Sequence, residues 1–100
     1  MSELVAREGD AVDTGHACDG TTTLDTPSQS FVKIEGKLVC RKGDLTVSHA
    51  FPPDPPCDPH VAPITGSSSG VKICGQLVAR KGDACDAGSI TGSASFVKIG

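Results

Sequence analysis

Two short motifs each recur three times along the chain, and that repetition limits the fold more than any other feature. Leu38-Val39-Cys40-Arg41-Lys42-Gly43-Asp44 matches Leu77-Val78-Ala79-Arg80-Lys81-Gly82-Asp83, and both match Leu4-Val5-Ala6-Arg7-Glu8-Gly9-Asp10. The second motif is Phe31-Val32-Lys33-Ile34, then Gly70-Val71-Lys72-Ile73, then Phe96-Val97-Lys98-Ile99. Self-similarity of this kind is a statement about architecture before it is one about chemistry. In mid-chain the motifs are joined by Glu35-Gly36 or Cys74-Gly75 plus one polar residue. Alternating apolar residues about a Gly-containing link describe a β-hairpin, so residues 31–41 and 70–80 each read as one. The third hairpin is split: its first strand is residues 96–99 and its second residues 4–7. Pairing the chain ends completes a third unit and hides strand edges that would otherwise stay open. The expectation is one all-β domain over residues 1–100, of three β-hairpin repeats with pseudo-threefold symmetry, adjacent termini and no substantial helix.

Each repeat ends in a Gly-Asp turn, Gly9-Asp10, Gly43-Asp44 or Gly82-Asp83, where Gly supplies the unusual dihedrals and Asp bonds the turn backbone. Three loops follow, 11–29, 45–69 and 84–94, and equivalent units send them out from the same end. All Lys and Arg lie in the repeats. The loops hold none, but they carry Asp13, Asp19, Asp25, Asp54, Asp58 and Asp86. Lysines on a hairpin are ordinarily its solvent face; the sharper alternative is a basic ring that meets an acidic partner.

Composition narrows the function. With three Phe and neither Tyr nor Trp in 100 residues, core material is scarce, and small domains of this kind need an extra staple. A net charge of −3 makes no case for nucleic acid. No apolar run is long enough to cross a bilayer. The start, Met-Ser-Glu-Leu-Val, lacks the basic and apolar segments of a signal peptide, so synthesis in the cytoplasm is expected. Five Cys without such a signal, an odd number, argue against a disulfide framework.

The candidate staple is a metal. All three His fall in the first two loops, and His60 stands in Cys57-Asp58-Pro59-His60, a spacing that lets two ligands reach one ion from a single turn. The Pro-rich run before it stiffens the approach. His16 and His49 follow their Gly-Asp turns at nearly the same offset, so equivalent loops aim both at a shared axis. His16, His49, Cys57 and His60 make four ligands of the type zinc prefers, a closed set without an open position, hence structural. Cys18, close to His16, is a rival ligand. Cys40 and Cys85 read as small buried residues, and Cys74 falls in a hairpin turn. The third loop supplies no ligand on this reading.

These residues resemble the PAAR-repeat family. The features carrying the resemblance are Gly66-Ser67 before Val71-Lys72-Ile73-Cys74-Gly75, Gly92-Ser93 before Val97-Lys98-Ile99, Arg-x-Gly-Asp at Arg7, Arg41 and Arg80, and His16 and His49 downstream. Cys57 and His60 look like the family's remaining zinc pair. The resemblance spans nearly the whole chain. It departs at the signature Pro-Ala-Ala-Arg, which here is Leu-Val-Ala-Arg or Leu-Val-Cys-Arg, apolar for apolar. It implies a small conical tip, zinc near its point, that caps the trimeric β-helical spike of a type VI secretion system or a contractile phage tail. It implies one copy per trimer, transient contact with a target membrane, and neither nucleic acid nor small-molecule substrate. The expected function is this structural, non-enzymatic tip. The alternatives are a stand-alone structural-zinc binding module and, third, a zinc hydrolase, which needs an open coordination position and a base such as Asp54 or Asp58.

Overall fold

A computed structural model describes residues 3–16, 18–51, 58–68, 70–95 and 97–99. Among these residues it is all-β: twelve short strands pair antiparallel, and no helix is long and apolar enough to cross a membrane. Both mid-chain hairpins form. Strand β4 (Lys33–Ile34) pairs with β5 (Lys37–Leu38), and β8 (Lys72–Ile73) with β9 (Gln76–Leu77). Their two-residue turns have φ of 55° at Glu35 with 81° at Gly36, and 51° at Cys74 with 84° at Gly75. Positive φ at both central positions is the turn whose twist matches the flanking strands. Glu35 accepts that conformation and uses its carboxylate, which takes hydrogen bonds from Arg7 Nη1 (2.8 Å) and from the Ser95 amide (3.0 Å).

The chain ends close the third unit as expected. Strand β1 (Glu3–Leu4) pairs with β12 (Lys98–Ile99), and the Val5 amide donates to the Val97 carbonyl at 3.0 Å. Around this unit and the two hairpins, hydrogen bonds come in sets of three. Ala6 N donates to Ala79 O, Ala79 N to Cys40 O, and Cys40 N to Ala6 O, a closed cycle at 3.0–3.1 Å. Glu8, Lys42 and Lys81 donate to Leu38, Leu77 and Leu4, each at 2.8 Å. In every Arg-x-Gly-Asp turn the Asp carboxylate accepts the Arg amide: Asp10 from Arg7 at 2.6 Å, Asp44 from Arg41 at 2.8 Å, Asp83 from Arg80 at 2.7 Å. The guanidinium groups of Arg7 and Arg80 fold back onto the same carboxylates, while Ser28 inserts between Arg41 and Asp44. These pairs are largely buried, so each carboxylate satisfies a backbone donor and lies beside a guanidinium charge, at 3.0 Å for Arg7, 3.7 Å for Arg41 and 2.9 Å for Arg80.

Two apolar layers fill the body. Val5, Val39 and Val78 meet among the three hairpins with Val32, Ile34, Ile73 and Ile99 packed against them. Each fully buried Val is worth about 1.5–3 kcal/mol. Next along the chain, Ala6, Cys40 and Ala79 pack with Val12, Leu24, Ile64, Cys85 and Ile90 under the loops. Small residues at the first three positions let the backbones approach closely enough for the three-way cycle.

The loops are more ordered than their composition suggests. Each contains a paired hairpin: β2 (Ala11–Asp13) with β3 (Thr21–Thr23), β6 (His49–Phe51) with β7 (Asp58–His60), and β10 (Ala84–Cys85) with β11 (Gly88–Ile90). Neighbouring loops are stitched by Leu24–Thr46, Ile64–Cys85 and Ile90–Val12 pairings, again one per repeat. The three loops therefore leave the body together.

Candidate metal centre

The loops converge on His16, His49, His60 and Asp86, whose ligand atoms all lie within 4.8 Å of one another and can hold a metal ion. His49 and His60 are register partners across β6 and β7, and partners in an antiparallel pair present their side chains on one face. His16 lies beyond β2, in a loop closed by Thr14, whose amide bonds Gly20 O (3.0 Å) and whose hydroxyl bonds Asp19 O (2.7 Å). Asp86 opens the β10–β11 turn with φ 56°, a conformation Asp tolerates better than most residues. That turn is pressed against the first loop. The Ala87 amide donates to Thr14 O at 3.0 Å, a Cβ on Gly88 would collide with the Asp13 carbonyl, and one on Gly15 with the Ala87 carbonyl. Two glycines thus bring Asp86 up to His16.

Asp86 Oδ2 is 2.7 Å from His16 Nε2, 2.8 Å from His49 Nε2 and 2.9 Å from His60 Nε2. The His16 and His49 rings stack at 5.2 Å, and His60 meets both edge-on. Side-chain exposure is 7%, 3% and 7% for His16, His49 and Asp86, against 25% for His60, so His60 is the most solvent-accessible of the four. Burial opposes the charged form of Asp86, but the imidazoles of His60, His49 and His16 around it outweigh burial and hold the carboxyl at about 2.

The donor chemistry calls for a shared positive charge. His49 Nδ1 lies 3.0 Å from the Val47 carbonyl oxygen, which can only accept. Nδ1 therefore carries the hydrogen, and Nε2 of the neutral ring presents a lone pair. That lone pair faces an ionised carboxylate at 2.8 Å and His16 Nε2 at 3.2 Å. Acceptors so close need a proton or a cation among them. A backbone carbonyl behind the ring is also how a metal-bound imidazole is held. The 3.2 Å between the His16 and His49 nitrogens is close to the edge of a tetrahedron with bonds of about 2.0 Å, whereas Asp86 Oδ2 stands at hydrogen-bond distances of 2.7–2.9 Å from the three imidazoles.

The three histidines expected from the sequence come together. Cys57, expected as the fourth ligand, lies outside the described residues. The other findings are corrections. The third loop contributes after all, through Asp86. Cys18 is disulfide-bonded, so its sulfur is not the free thiolate a rival ligand would be, and the expectation of no disulfides fails there; Cys count and N-terminal composition describe the chain as a whole, whereas a disulfide depends on the geometry of one pair. Cys40 and Cys85 are buried and free, and Cys74 is exposed and free. A signal for the third loop, though not for Asp86 itself, lay in the repeats: two loops aiming His at a common point implied a third aimed there as well. No protein-family model matches the chain, and no curated protein matches it in sequence.

Proposed function

We propose that the chain is a PAAR-like spike tip, a non-enzymatic cap for the trimeric β-helical spike of a contractile injection machine, of the phage-tail or type VI secretion kind. The carrying observation is that one chain builds a closed ring of three equivalent contacts at its hairpins, while its loops gather at a single point. Homo-oligomers bury identical patches about a true axis. A monomer whose one face imitates such an axis suits a partner that has one. On this reading the point faces the target envelope, contacts its membrane briefly, and transmits the force of sheath contraction.

The proposed metal is one structural zinc, held by His16, His49, His60 and Asp86. Three imidazoles and a carboxylate suit zinc, and four protein ligands leave no position for a reacting water. The ion holds loops that have little core of their own. This set takes the place of the Cys57-containing one expected from the sequence.

The test is the mass of the complex formed with the trimeric β-helical spike protein encoded in the same genome. One chain per trimer is expected, together with about one zinc per chain on metal analysis. Three chains per trimer, or no complex, overturns the cap.

A further inference from the structure

Charge repeats around the hairpin ring in tiers, of which the turn aspartates Asp10, Asp44 and Asp83 are spent on the Arg amides of their own turns. The tier of Arg7, Arg41 and Arg80 is consumed internally by the turn carboxylates and backbone carbonyls. Beside it, Glu8, Lys42 and Lys81 are mixed in sign, and Glu8 is occupied by the Leu38 amide. Near the hairpin turns, Glu3, Lys37 and Gln76 occupy equivalent register positions and are mixed again. Outside the Arg and Asp of the turns, which bond one another and the backbone, only Lys33, Lys72 and Lys98 place the same charge at all three. Each stands opposite the same residue type, Leu38, Leu77 and Leu4 respectively. All three are exposed, and none is ion-paired with a described carboxylate.

Their surroundings have the anatomy of an interface. Strand alternation turns Ile34, Ile73 and Ile99 toward the Val5, Val39 and Val78 cluster, where they remain only partly buried, and turns the lysines away. The exposed Val71 and Val97 flank two of the lysines. An apolar centre with a polar rim is the usual arrangement of a docking patch. The backbone adds a second threefold feature. Val39 N bonds Val32 O (3.1 Å), Val78 N bonds Val71 O (2.9 Å) and Val5 N bonds Val97 O (3.0 Å). In an antiparallel pair the next residue then points its N–H and C=O off the outer edge. Those groups belong to Lys33, Lys72 and Lys98, and no described residue outside the hairpins bonds them.

We infer that Lys33, Lys72 and Lys98 form a three-point cationic rim that docks onto a trimeric β-structured protein presenting one carboxylate per subunit. The inference rests on the tip reading and names the chemistry of the partner face. Lysines at a strand edge also discourage stray pairing, but that role asks for charge somewhere on the edge, whereas a trimer asks for it at one position in every repeat.

The experiment titrates the same spike trimer with the parent chain and with the Lys33→Gln, Lys72→Gln, Lys98→Gln triple variant, at low and moderate salt. The triple variant is expected to bind about tenfold more weakly or worse and to lose most of the salt dependence. The Lys42→Gln, Lys81→Gln variant is expected to bind within about twofold of the parent. Triple-variant binding within twofold of the parent overturns the inference and leaves the tip reading standing. Failure of the parent chain to bind overturns both. If the triple variant does not fold, parent binding that ignores salt is by itself enough to overturn the rim.

Discussion

Replacing Asp86 with Ala removes the one anionic member of the metal centre and the acceptor that lies 2.7–2.9 Å from three imidazole nitrogens. The three histidines keep their supports: His49 stays anchored to the Val47 carbonyl, and His60 stays in register on β7. A zinc ion then has three neutral ligands and a water. Loss of a group merely behind a ligand costs about 10–100-fold in metal affinity, so loss of the ligand itself is expected to cost about 100-fold or more, roughly 2.7 kcal/mol. Because zinc binding to the folded form adds directly to stability, the same quantity is lost from the zinc-loaded protein. For a domain of this size that is a fall of about 10–20 °C in Tm. Chelator competition measures the affinity, and thermal unfolding with and without zinc measures the linkage. Zinc affinity within threefold of the parent refutes Asp86 as a ligand. Cobalt substitution gives an independent check: ligation by three His and Asp86 lacks a thiolate charge-transfer band, and a strong band refutes this ligand set.

Three further outcomes test the body that carries this centre. Val39→Ala, at a fully buried position of the hairpin core, should cost about 1.5–3 kcal/mol in urea unfolding at unchanged m; a loss under about 0.5 kcal/mol argues against that layer. Deleting the last five residues removes β12 and the partner of the Val5 amide, and should cost roughly 3 kcal/mol or more or give insoluble protein; a truncated chain melting within a few degrees of the parent contradicts the seam. In the native protein an alkylating reagent should label Cys74 and spare Cys40 and Cys85, because burial pushes the Cys40 thiol up with help from Asp44, Asp10 and Glu8; mass spectrometry showing Cys40 labelled before unfolding contradicts its place in the core.

The repeats were legible because their information is local. Val39, its hairpin partners and the Gly-Asp turn behind it form a pattern within a dozen residues, and the same pattern at Val5 and Val78 demands the same contacts. The seam followed from that pattern alone, since half a repeat at each end has one sensible complement. The three histidines were legible for a related reason: His16 and His49 sit at like offsets within like units, and His60 stands in Cys57-Asp58-Pro59-His60. Asp86 was not. It stands three residues after its Gly-Asp turn, where His16 and His49 stand six and five after theirs, and among many loop aspartates nothing in its neighbourhood marks it. Its place depends on a long-range approach that Gly15 and Gly88 permit by lacking a Cβ, on a left-handed turn residue, and on the His49 tautomer set by the Val47 carbonyl. The disulfide at Cys18 is of the same kind, a matter of where two chain segments meet. The sequence by itself determined the ring and the number of loops above it. The tertiary structure decided which side chains those loops bring within bonding distance, because that distance is set by backbone approach between segments some seventy residues apart.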